Sequence, residues 1–137
     1  MDCTRKETFF IALFLTMMYL GNSQFSDDPF TAAVECIAET KAPLLCKHLV
    51  RCGNFLSEED KDALNQCVED QLPEVFPNGV TECPQQEVDS SEAKSSNIVD
   101  CVEKKSTGLG FDDWEECILR SRQDCRFYKK LLSNNDQ

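Results

Sequence analysis

Residues 111–132 read FDDWEECILRSRQDCRFYKKLL, and this stretch decides the fold class. Trp114, Ile118, Ser121, Cys125, Tyr128 and Leu132 recur at alternating spacings of four and three, which places them on one stripe of an α-helix. Repeated gaps of this kind bury a helix face against a core. Asp112 and Glu115 supply a capping box for its start. The same run holds two cysteines, Cys117 and Cys125, eight residues apart on one helix. At about 1.5 Å of rise per residue their separation is about 12 Å, beyond the ~7 Å between α-carbons that a disulfide spans. Each of them must therefore reach another element.

Working back from this helix, the chain repeats the same signals. Asp28-Pro29 reads as an N-cap followed by proline at the first helical position, ahead of a helix from Phe30 to Thr40. Pro43 closes that helix and opens the next, which carries Leu44, Leu45, Cys46, Leu49 and Val50 and is ended by Gly53. Ser57-Glu58-Glu59-Asp60 starts a third, with Leu64, Cys67, Val68 and Leu72 on its face and Pro73 after it. Cys46 and Cys52, about 9 Å apart if helical, cannot pair with each other either. A short helix covers Ile98 to Lys105 and ends near Gly108. Between the third and fourth helices, Pro73, Pro77-Asn78-Gly79 and Cys83-Pro84 break regular structure, and Gln85 to Ser96 offers almost nothing to bury. The expected fold is all-α: a small disulfide-stapled bundle of about five helices with an irregular polar connector over residues 73–94. Val34-Glu35-Cys36-Ile37 is echoed by Val99-Asp100-Cys101-Val102, which suggests halves at 24–72 and 95–137 within one domain, 24–137.

The N-terminus sets the compartment. Arg5 and Lys6 precede a twelve-residue apolar run, Phe9 to Leu20, and Gly21-Asn22-Ser23 offers small residues for cleavage. This reads as a signal peptide over residues 1–23, and twelve residues make only about 18 Å of helix against a hydrocarbon core of about 30 Å. Removing it discards Cys3 and leaves an even set: Cys36, Cys46, Cys52, Cys67, Cys83, Cys101, Cys117 and Cys125. In an oxidising compartment that set implies four bridges between helices. The eight allow roughly a hundred pairings, and the sequence leaves the pairing open.

Charge and composition exclude several functions. The net charge is −11, and all of the excess lies between Glu58 and Glu103, which hold thirteen acids and two lysines. Such a surface repels nucleic acid and anionic lipid at long range. Arg120 to Lys130 reverses the sign, as suits the end of a helix, or alternatively a strip that docks on an anionic surface. The gaps between successive cysteines, 10, 6, 15, 16, 18, 16 and 8, contain no Cys-x-x-Cys, so no metal site is expected. The acids at 58–62 lack the rhythm of a calcium loop. His48 is the only histidine, without the calcium loop or following aspartate of a secreted phospholipase A2, and no catalytic residue or cofactor is expected.

The run Cys46-Lys47-His48-Leu49-Val50-Arg51-Cys52, then Phe55-Leu56-Ser57-Glu58-Glu59 and Cys67, resembles part of the cysteine-rich helical antimicrobial proteins of ticks called microplusins or hebraeins. So does Cys101-Val102 leading through Phe111-Asp112 to Cys117, Cys125 and Tyr128-Lys129-Lys130. The likeness covers about half of the expected mature chain, in rearranged order. It implies a secreted helical fold and growth inhibition by copper capture through histidines. With one histidine and no histidine-rich tail, this chain takes only the fold from that resemblance.

The leading functional expectation is a secreted, extracellular, non-enzymatic cysteine-rich binding protein, toxin-like or part of host defence. Its partner would be an extracellular protein, with no nucleic acid, no stable membrane insertion and a monomeric state. The alternative is a secreted carrier of a small hydrophobic ligand, with Phe55, Phe76, Phe111, Trp114 and Phe127 lining its cavity. A third reading, a secreted hydrolase, would depend on His48.

Overall fold

Asp28 is the first residue that the computed structural model describes, and it already sets a helix in place; the described residues are 28–135. Its side chain accepts the Thr31 amide, Pro29 occupies the first helical position, and α1 runs Pro29–Thr40. α1 ends at Lys41, whose left-handed backbone (φ 57°) closes the last turn. Pro43 then opens α2, Pro43–Arg51. Ser57 caps α3, Glu58–Gln71, by accepting the Asp60 amide, and three acids fill its first turn. α4 is Ser90–Ser95, α5 is Ile98–Lys105 and α6 is Phe111–Asn135. Among the described residues there are six helices and no strand, so the fold is all-α. The signal peptide expected over residues 1–23 lies outside the described residues.

α6 is the spine. α1 lies along it, α2 and the turn after it pack beside, and α3 pairs with α5, which also touches α1. The predicted stripe explains why: Trp114, Ile118, Ser121 and Cys125 are all buried. Trp114 sits between Phe30 of α1 (ring centroids 6.2 Å apart) and Phe111 (5.7 Å), and Phe30 meets Phe76 at 6.1 Å. One hydrophobic cluster takes residues from α1, α2, α3, α5, α6 and the connector. The two suggested halves thus share a single core.

Buried polar groups tie the helices where apolar contacts run out. Asp60 is fully buried at the start of α3. Its carboxylate accepts the Thr107 amide (2.9 Å), the Ser106 hydroxyl (2.9 Å) and the Thr107 hydroxyl (3.1 Å), clasping the loop after α5. Burial pushes its pKa up, but those donors outweigh burial and hold it below the ordinary carboxylate value. At the other end of α3, Gln71 accepts the Asn97 amide (2.7 Å) and donates to the Asn97 side chain (2.8 Å), fixing the entry to α5.

Several expectations need correction. Gly53 does not end α2: the chain passes from Arg51 into a 3-10 turn, Cys52–Phe55, that extends the same path. α6 begins at Phe111, so Asp112 lies within its first turn and is not its cap. The stripe on α6 stays buried only to Cys125; Tyr128 is half-buried and Leu132 exposed, because the helix outruns the body beneath it. The connector is more structured than its composition suggests. Val75, Phe76 and Val80 are core residues, Asn65 accepts the Val80 amide (3.0 Å), and α4 buries Ala93.

Candidate functional surface

The chemistry of this chain is concentrated in its sulfurs. Cys36–Cys125 joins α1 to α6, Cys52–Cys117 joins the 3-10 turn to α6, and Cys67–Cys101 joins α3 to α5. Cys46–Cys83 ties α2 to the connector. Their α-carbons lie 5.6 to 6.1 Å apart. Neither pair that helix geometry forbade, Cys117 with Cys125 or Cys46 with Cys52, occurs. All four bridges close long loops, with sequence separations from 34 to 89. Each contributes about 2–4 kcal/mol by restricting the unfolded chain.

His48 sits beside one of these bridges. Its Nε2 is 3.8 Å from Cys117 Sγ and its Nδ1 is 3.7 Å from an Asp124 carboxylate oxygen on α6. No local sequence pattern marks this imidazole–carboxylate pair, since its members belong to different helices. Beneath, the buried Ser121 hydroxyl points at Cys52 Sγ (3.7 Å). His48, Cys52 and Cys117 bring potential ligand atoms within 4.8 Å of one another. Both sulfurs are spent in a disulfide, however, so the donor set does not fit a metal that needs thiolates.

An open groove of about 480 Å³ runs past His48 between α2, the 3-10 turn and α6; Arg51, Phe55, Asp113 and Arg120 line it too. Arg120 is held by Glu116 at 2.7 Å. A second open groove, of about 570 Å³, follows the Cys46–Cys83 bridge, between Ile37, Pro43 and Pro84. The five aromatics expected to line a ligand cavity are scattered. Phe76, Phe111 and Trp114 are packed into the core, whereas Phe55 and Phe127 are exposed on separate segments.

A model of the family described as Hi1a-like, U10-hexatoxin-Hi1a, matches residues 26–134. The chain belongs to the Hi1a-like family. The match takes in all eight bridged cysteines and nearly the whole of the described bundle. The resemblance to microplusins or hebraeins is not confirmed; the Hi1a-like family takes its place. No curated protein and no solved structure matches the chain.

Proposed function

We propose that this Hi1a-like chain is a secreted, non-enzymatic toxin-like protein that acts by binding an extracellular protein. The observation that carries the reading is the family match over residues 26–134, to a family whose description names a hexatoxin. Its bridges support it, because four cross-links suit a small domain that must keep its shape outside the cell. All eight cysteines of the described residues are oxidised, so none of them offers a thiolate nucleophile, and the single histidine stands 3.8 Å from the bridged Cys117 sulfur and 3.7 Å from Asp124.

The test compares oxidised protein with reduced and alkylated protein by injection into insects, scored for paralysis and death. Dose-dependent paralysis by the oxidised form alone is expected. No effect at any soluble dose, or equal potency after alkylation, contradicts the reading. Recovery of the protein from the medium of secreting cells, with its first residue at Gln24, checks the export step.

A further inference from the structure

Cys125 is the last buried residue of α6, and beyond it the helix continues to Asn135 for about 15 Å with less and less beneath it. From Lys130 to Asn134 every side chain is exposed. Six large apolar side chains are exposed among the described residues, and three of them fall here: Phe127 at 65%, Leu131 at 47% and Leu132 at 41%. The same stretch holds the end of the basic strip in a chain of net charge −11.

Helical geometry sorts these residues into adjacent rows. Phe127 and Leu131, four apart, stack in one row, and Arg126 and Lys130 stack in the row beside it. Tyr128 and Leu132 form the row on the other side. Lys129 is held by Glu39 of α1 at 2.8 Å, whereas Arg126 and Lys130 make no ion pair with a described residue. An apolar row bordered by two cations that pair with no described residue is the pattern of a helix that lies in a lipid headgroup boundary.

We propose that the end of α6 is a docking tip for anionic phospholipid bilayers. Phe127, Leu131 and Leu132 enter the headgroup region while Arg126 and Lys130 meet lipid phosphates. Charge complementarity selects this occupant: a negative bilayer repels the acidic bulk of the chain and attracts this end. α3, which bears Glu58, Glu59, Asp62 and Glu69, packs chiefly on α5. Three partly exposed side chains bury little area, so docking is reversible and weakens with salt. It is peripheral, since among the described residues no helix is long and apolar enough to cross a membrane.

The experiment uses the full oxidised protein in flotation with vesicles of phosphatidylcholine plus phosphatidylserine, and with phosphatidylcholine alone. Association with the anionic vesicles is expected, weaker at high salt. It should fall about tenfold or more in the Arg126→Glu, Lys130→Glu pair. It should fall similarly in Phe127→Ser, Leu131→Ser, and stay unchanged in Leu44→Ser, which removes an apolar side chain 79% exposed elsewhere. All these positions are on the surface, and the circular dichroism of the variants verifies folding. A Phe127→Trp variant should shift its emission to the blue on anionic vesicles, while the buried Trp114 stays silent. No association of the natural sequence with anionic vesicles overturns the proposal, as does full association of either double variant. Dimerisation that needs the same four residues, without lipid binding, assigns the tip to a second copy and overturns it too. Flotation reads lipid binding whether or not the protein is toxic, so the two proposals fail separately.

Discussion

The Asp28 carboxylate accepts the Val99 amide at 2.9 Å, across 71 positions of sequence, while its other oxygen accepts the Thr31 amide and hydroxyl, each at 2.9 Å. One side chain thus caps the starts of both α1 and α5. The residue at the head of α5, Asn97, makes no side-chain cap of its own. Ser96 completes the junction by donating to the Thr31 hydroxyl at 2.8 Å. Helix starts that are normally separate local events are fused here into one tertiary contact.

Asp28→Ala should therefore cost more than an ordinary cap, about 2–3 kcal/mol, because it strands buried donors of two helices. Asp89→Ala, which removes the cap of the short exposed helix α4, should cost under about 1 kcal/mol. Urea unfolding of the oxidised proteins measures both. Equal losses in the two variants would show that the contact between α1 and α5 contributes nothing.

Asp60 predicts the acid limb of stability. Its folded pKa lies below the ordinary aspartate value of about 3.8, so its contribution is complete above that value and fades as pH falls through the folded pKa. Melting temperature should be flat on this account near neutrality and drop on acidification below about pH 4. Asp60→Asn should be less stable at neutral pH and lose less on acidification. A variant that tracks the natural sequence at every pH would remove Asp60 from the explanation.

Two glycines separate backbone strain from steric conflict. Gly108 and Gly110 both have positive φ, 91° and 79°. A β-carbon at 108 meets open space, whereas one at 110 would lie 1.9 Å from the Phe55 carbonyl oxygen. Gly108→Ala should cost about 1–2 kcal/mol, from the backbone alone. Gly110→Ala should cost several times more, since the 3-10 turn and the start of α6 must part. Chemical denaturation of the pair checks the ranking, and the reverse order would refute the close approach.

Exposure predicts the order of reduction. Cys83 is the one exposed cysteine among the four bridges, while both sulfurs of Cys36–Cys125 belong to buried residues. Limited reductant followed by alkylation and peptide mass analysis should label Cys46 and Cys83 first. The released connector should leave the Trp114 environment largely intact. First labelling at Cys36 and Cys125 would contradict the packing described.

Much of this architecture was legible because local chemistry carries it. Asp28, Pro29, Pro43 and Ser57 mark helix starts without reference to the rest of the chain, and the stripe from Trp114 to Cys125 marks a buried face. Periodicity reports which way a side chain points, however, and not whether anything lies there; Leu132 keeps the phase and meets solvent. Val75, Phe76 and Val80 are interrupted by Pro77 and Gly79 and lie in no regular element, so their burial was invisible until the connector folded over α3. The His48–Asp124 pair and the choice of disulfide partners depend on how helices are placed in space, which no local pattern encodes.

The four bridges are the central claim, and peptide mapping of the oxidised protein without prior reduction tests it most directly. Mass analysis should find Cys36 linked to Cys125, Cys46 to Cys83, Cys52 to Cys117 and Cys67 to Cys101, with no alkylatable thiol among the eight. A bridge between Cys117 and Cys125 or between Cys46 and Cys52, or free thiols at these positions, would contradict the helical bundle itself.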